Sequence, residues 1–112
     1  MKEPTAPLDA LGRNAGVAVL ILSSLAGGEK HGYALVKDVE QFAGVHLAPG
    51  TLYEALARLE GQGLIEALAA VDRRRPYRLS ATGAAVLAEY LSLQQRVVKT
   101  GQARLRQGWV FS

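Results

Sequence analysis

The chain has 112 residues, enough for one domain that buries roughly two-thirds of its unfolded surface, and 49% of them are hydrophobic, which excludes wholesale disorder. It has no cysteine, so disulfides, cysteine-based zinc sites and thiol catalysis are excluded, and its two histidines, His31 and His46, lack the clustered carboxylates of a metal site. The formal net charge of +3 permits a nucleic-acid partner without demanding one, and is too small for a protein that coats DNA nonspecifically.

Met1-Lys2-Glu3-Pro4 is not followed by an apolar run, so no signal peptide is expected. The most apolar stretch, Ala15 to Leu22, is far shorter than the ~20 residues of a membrane span. These features predict a soluble cytoplasmic protein with no membrane partner. Residues 1–12, with two prolines, read as a loose arm. A first helix is expected from Asn14, a good cap, to the Gly27-Gly28 stop. Its apolar residues (Val17, Val19, Leu20, Ile21, Leu22, Leu25) cover nearly the whole circumference, which suits a core or an interface.

The second helix is predicted over about Gly32 to Phe42, with Leu35, Val36, Val39 and Phe42 on one face and Gly44 ending it. Pro49, at a position where its missing N–H costs nothing, opens a third helix. There Leu52, Leu56 and Leu59 form an apolar stripe, while Thr51, Glu54, Ala55 and Arg58 are expected on the opposite face. Gly61 and Gly63 close it. Leu64 to Val71 and Tyr77-Arg78-Leu79, flanking the basic turn Asp72-Arg73-Arg74-Arg75-Pro76, read as a β-hairpin.

Ser80 is a good cap for a last helix running from Ala81 to about Gln107. Leu87, Leu91, Gln94, Val98, Gly101 and Leu105 recur at alternating four- and three-residue steps, a heptad seam beside a second row of Val86, Tyr90, Leu93 and Val97. One small domain cannot cover both rows, so a partner helix from a second copy is expected, with Val17 and Leu20 of the first helix joining Leu87, Tyr90, Leu91, Gln94, Val98 and Leu105 in the contact. The predicted fold is therefore mainly α with a small β-hairpin: a winged helix-turn-helix over residues 13–80 and a dimerisation helix and tail over 81–112.

His31-Gly32-Tyr33-Ala34-Leu35, Pro49-Gly50-Thr51-Leu52-Tyr53, Leu56-Ala57-Arg58-Leu59-Glu60, Gly63-Leu64-Ile65 and Tyr77-Arg78-Leu79-Ser80 with Gly83, in this order and spacing, resemble the PadR family of bacterial transcriptional regulators over about Val19 to Gly83. The resemblance implies a homodimeric repressor whose third helix enters the major groove, whose wing touches flanking DNA, and whose last helix dimerises. Its single C-terminal helix is similar to that of the smaller subgroup. Many members respond to small molecules or stress. Ala48 departs from the serine or threonine frequent before Pro-Gly-Thr-Leu-Tyr, which puts a helix cap in doubt.

The candidate DNA-binding residues follow. Arg73, Arg74 and Arg75 offer forked phosphate donors that also suit a narrow minor groove, against the alternative of a solvated charged turn. Pro49, Gly50, Thr51, Tyr53, Glu54 and Arg58 lie on the expected reading helix, where arginine matches guanine and glutamate accepts from cytosine; an internal Glu54–Arg58 ion pair is the competing reading. Tyr33 is expected at the DNA backbone; for His31 a hydrogen bond to the DNA backbone competes with a place in the turn that leads into a helix, and the turn is preferred; His46 is assigned no role. Tyr77 is either a phosphate contact or a cross-strand aromatic. Tyr90 and Trp109 are candidates for lining an effector pocket, with tail packing of Trp109 and Phe111 as the alternative. No phosphate loop, nucleophile–base pair or carboxylate cluster appears, so neither catalysis nor a cofactor is expected. A protein-interaction module on the same scaffold, without operator binding, is the second hypothesis.

Overall fold

The computed structural model describes residues 15–109. The expected arm at 1–12, the Asn14 cap and Phe111 lie outside the described residues, as does the side chain of Trp109. The elements are α1 (Ala15–Ala26), β1 (Lys30–His31), α2 (Gly32–Ala43), α3 (Pro49–Gly61), β2 (Ile65–Ala67), β3 (Pro76–Leu79) and α4 (Ala81–Arg104), which runs on into a π-helical turn over Leu105–Trp109. The chain is thus mainly helical with one small sheet.

The core is a single apolar cluster. Ala18, Ile21, Leu22 and Leu25 of α1 pack with Leu35 and Val39 of α2, Leu52, Leu56 and Leu59 of α3, Leu64 and Ile65 beside the sheet, and Val86 and Leu87 of α4. Two expectations about helix faces need correction. Ala55 is 1% exposed and belongs to the α3 stripe: residues 52, 55, 56 and 59 follow the i, i+3, i+4, i+7 rule, and a small side chain lets the helix approach its neighbours. Phe42 shares an angular face with Leu35 but is exposed, because it stands in the last turn of α2, where no core lies beneath it.

The helix ends obey local chemistry. Gly44 caps α2 in the left-handed region (φ 69°), its N–H donating to Glu40 O. After α3, Gly63 (φ 76°) completes a pair of reversed bonds, Gly63 N to Glu60 O and Leu64 N to Leu59 O, each 3.0 Å. Pro49 occupies the first turn of α3, and Ala48 before it supplies no side-chain cap. Ser80 caps α4 by accepting from Gly83 N at 2.9 Å and donates to Gly63 O at 2.7 Å. Gly83 is required there: a Cβ would stand 2.0 Å from the Leu64 carbonyl oxygen.

The sheet has three antiparallel strands in the order β1-β3-β2. β1 extends the expected hairpin: Lys30 pairs with Tyr77 and His31 with Pro76. In the hairpin Ile65, Glu66 and Ala67 face Leu79, Arg78 and Tyr77. The first hairpin strand is shorter than expected, and Pro76 starts β3 rather than closing the turn; a strand's first position suits a residue without an N–H. The wing spans residues 68–75. At its tip Val71 and Arg74 exchange both backbone hydrogen bonds (2.7 and 2.9 Å) around Asp72 and Arg73, which have φ of 51° and 67°. Two consecutive left-handed residues inside such a pair form the two-residue hairpin turn whose twist matches the strands.

Lys30, Ser24 and Asp38 tie α1, β1 and α2 together. The buried Ser24 hydroxyl donates to Asp38 Oδ2 at 2.7 Å, and Lys30 Nζ reaches the Ser24 carbonyl at 2.5 Å. α4 has 24 residues, about 36 Å at 1.5 Å per residue, so most of it projects past the core and stretches the molecule to 59 Å along its longest axis.

Candidate nucleic-acid interface

The start of α2, the outer side of α3 and the wing enclose a cleft of about 290 Å³. Its lining is His31, Gly32 and Tyr33, then Tyr53, then Arg73, Arg74 and Arg75, with Tyr77 of β3. No carboxylate is among these residues. Tyr33 and Tyr53 are 65% and 54% exposed. The close fit at Gly32 explains how Tyr53 reaches the cleft: a Cβ on Gly32 would lie 2.6 Å from the Tyr53 hydroxyl. Lys37 Nζ sits 5.7 Å from the centre of the Tyr33 ring, close enough for a cation–π contact and a further positive charge beside the cleft. Tyr77 is half-buried. Burial pushes its phenol above the usual 10.0 and the Glu60 carboxylate adds to the rise, while Arg75 opposes it, so the hydroxyl is a neutral donor at physiological pH.

The basic residues of the wing are not equivalent. Arg75 Nη1 donates to the Leu68 carbonyl at 2.9 Å and braces the wing from within. Arg74 Nη1 lies 3.3 Å from His31 Nε2. Arg73, at the tip, is exposed and has no hydrogen-bond partner among the described residues. Arg78 is engaged elsewhere, donating to Glu66 Oε1 from Nε and Nη2 at 3.0 and 2.8 Å, in register across the hairpin.

On α3, Pro49, Gly50, Thr51, Tyr53 and Glu54 are exposed, and Arg58 is half-buried. Thr51, Glu54 and Arg58 fall within about 60° of one another around the helix at 100° per residue. Among the described residues Glu54 and Arg58 form no ion pair. The structure therefore brings Tyr33, Tyr53, Tyr77 and the three wing arginines into one cleft and places Thr51, Glu54 and Arg58 on α3 outside it. Next to the cleft, a more apolar hollow of about 320 Å³ is lined by Tyr33, Val36, His46, Leu47, Pro49, Leu52 and Tyr53.

The place of His31 at the entry to α2 agrees with the sequence reading, whereas its link to the wing was missed. His31 is the N-cap of α2, Nδ1 accepting from Ala34 N, and at the same time the cleft's link to Arg74. The only local signal was its place before Gly32 at a helix start. His46 lies 2.5 Å from Glu40 Oε2 in an exposed contact that steadies the loop after α2. Among the described residues no group of three or more His, Asp or Glu side chains gathers into a metal site.

The residues expected at a dimer contact divide into three groups. Leu91, Val98 and Leu105, with the neighbouring Val97, are 44–56% exposed and run along the projecting part of α4, where Gln94 is also exposed. Val17, Leu20 and Tyr90 are half-buried against the chain's own core. Leu87 is a correction: at 5% exposure it packs inside its own core and is not available to a partner. The hollow along α4 is lined by Ala88, Glu89, Ser92, Leu93 and Arg96, not by Tyr90. Among the described residues no helix is long and apolar enough to cross a membrane.

Comparison with known proteins agrees with this arrangement. Residues 21–89, from within α1 into α4, match the transcriptional regulator PadR-like family. A transcriptional regulator of Mycobacterium tuberculosis is 39% identical over 80 residues, covering 69% of this chain and 74% of that protein. An uncharacterised 37.1 kDa protein in a transposon of Streptomyces fradiae is 43% identical over 75 residues, 67% of this chain; the match spans only 22% of that longer protein. Among solved structures, a PadR family transcriptional regulator from Eggerthella lenta is 33% identical, with a TM-score of 0.66 and 86% of each chain covered. One from Clostridium difficile is 28% identical, with a TM-score of 0.68, covering 80% of this chain and 96% of that one. The chain belongs to the PadR-like family of transcriptional regulators, and its place is among DNA-binding regulators rather than enzymes.

Proposed function

We propose that the protein acts in the cytoplasm as a homodimeric repressor on a pseudo-palindromic operator. The observation that carries this reading is the shared cleft: the wing arginines and the tyrosines of α2, α3 and β3 line one cleft beside the exposed face of α3. In this reading Thr51, Glu54 and Arg58 meet base edges in the major groove, with Pro49 and Gly50 at the start of the helix. Tyr33, Tyr53 and Tyr77 donate to backbone phosphates. Arg73 and Arg74 reach the flanking phosphates or the minor groove, and Arg75 holds the wing in shape.

The exposed row Leu91, Val97, Val98 and Leu105 takes the matching row of a second copy, setting two α3 helices roughly 34–36 Å apart, one turn of DNA. Residues 81–112 serve dimerisation as a division of labour rather than as a separate folding unit, since Val86 and Leu87 are built into the core. A small molecule bound near Tyr90 and Trp109 would act by favouring a spacing of the α3 helices that no longer fits the operator.

Fluorescence anisotropy against operator-containing DNA, across a series of salt concentrations, tests the reading. Wild-type protein binds with a steep salt dependence. Replacing Arg73 and Arg74 by alanine weakens binding and lowers the slope of log K against log salt by about 2, near 0.9 for each phosphate that is no longer neutralised. Absence of binding by wild-type protein at low salt contradicts the proposal and favours a protein-interaction role.

A further inference from the structure

His31 stands where three elements meet: it ends β1, caps α2 and lines the cleft under the wing. Its ring faces two demands at once. Nδ1 lies 3.4 Å from the Ala34 N–H and must accept, while Nε2 lies 3.3 Å from Arg74 Nη1. A guanidinium has donors only, so that contact also needs an acceptor. A neutral imidazole offers one accepting ring nitrogen and an imidazolium offers none, so no protonation state of His31 satisfies both. While Nδ1 caps α2, the proton is on Nε2, and a donor faces a donor.

The surroundings do not relieve this. From the wing come Arg73 and Arg75, from α2 Tyr33, from α3 Tyr53, from β3 Tyr77. Asp72 lines a neighbouring hollow together with His31 and Arg74, and forms no ion pair or hydrogen bond with either. Lys30, on the same strand as His31, is turned away toward the Ser24 carbonyl and Asp38. Among the described residues, no carboxylate accepts a hydrogen bond from His31 or Arg74.

We propose that the His31 Nε2–H and the Arg74 guanidinium form a two-donor seat for one phosphate oxygen of the DNA backbone. An oxygen between them turns the mismatched pair into two charge-assisted hydrogen bonds and leaves the helix cap intact. The same phosphate would fasten the wing to the start of α2, so the wing and the helix-turn-helix would engage DNA as one unit. The inference rests on the DNA-binding reading above and adds a specific contact to it.

The test compares DNA affinity at fixed salt for four proteins: wild type, His31→Asn, Arg74→Ala and the double variant. Asparagine keeps a capping oxygen for Ala34 N–H but is too short to replace Nε2. His31→Asn is expected to melt like wild type and to bind DNA about tenfold more weakly, the loss of one hydrogen bond to a charged group. In the Arg74→Ala background the same change is expected to cost less than about threefold, because the seat is already broken. Unchanged binding by His31→Asn, or an equal loss in both backgrounds, overturns the proposal.

Imidazole nitrogen NMR on the wild-type protein reads the same seat without any variant. Addition of DNA should move the His31 Nε2–H resonance downfield while Nδ1 stays unprotonated. DNA binding with an unmoved His31 signal defeats the seat alone; no DNA binding by wild type defeats the regulator reading as well.

Discussion

Arg73 occupies a backbone conformation that suits glycine. Asp72-Arg73 fills the two central positions of a turn that favours Asp-Gly, and φ at Arg73 is 67°. A side chain in the left-handed region costs roughly 1 kcal/mol. Arg73→Gly should therefore raise the melting temperature by a few degrees, since about 1 kcal/mol corresponds to roughly 4–8 °C in a domain of this size, while weakening DNA binding. A thermal melt and an affinity measurement on one preparation check both halves. Gly83 presents the opposite case. Gly83→Ala drives a Cβ into the Leu64 carbonyl, whose oxygen also accepts from Ser80 N, and is expected to destabilise the fold by about 2–3 kcal/mol, read as a lower denaturation midpoint. Tyr77 predicts an alkaline effect. Its folded pKa lies above 10.0, so the neutral form is favoured by folding; the associated stability is fully present below pH 10 and is lost as pH rises through the folded pKa. Tyr77→Phe should flatten that alkaline decline in a pH series of melts.

At the scale of elements, the helix starts differ in quality. Ala48 has the extended backbone of an N-cap (φ −67°, ψ 150°) but no side chain to fill the role. Ala48→Ser should stabilise α3 by about 0.5–1 kcal/mol, whereas Ser80→Ala should cost about 1–2 kcal/mol, because Ser80 both caps α4 and holds the Gly63 carbonyl. Chemical denaturation of both variants checks the opposite signs. These boundaries were legible in the sequence because Gly44, Pro49, Gly63 and Ser80 act through their own backbone neighbours. β1 was not legible, since two residues carry no alternation and its existence depends on β3, more than forty residues away. The different duties of Arg73, Arg74 and Arg75 were hidden for the same reason: a run of identical residues says nothing about which one meets the Leu68 carbonyl or the His31 ring. Ala55 was the exception. Its i+3 spacing from Leu52 was readable, but the sequence reading groups it with Thr51, Glu54 and Arg58 on the outer face.

At the scale of the whole molecule, one apolar periodicity along α4 passes through two settings. Val86 and Leu87 complete the core, and Leu91, Val97, Val98 and Leu105 continue the pattern beyond it into solvent. Heptad spacing alone cannot tell which turns lie over the chain's own domain, which is why it assigns Leu87 to a partner. The separation gives a clean experiment. Leu91→Glu with Val98→Glu should leave helical content unchanged and produce a monomer at micromolar concentration by sedimentation velocity, with DNA affinity falling at least tenfold because only one half-site is held at a time. The most direct test of a dimeric reader of operator DNA is selection of bound sequences from a random DNA pool. Recovery of a two-fold motif with half-sites centred about 10 base pairs apart, or a multiple of that, is the predicted result; recovery of random sequence, or of a single half-site without symmetry, would contradict it.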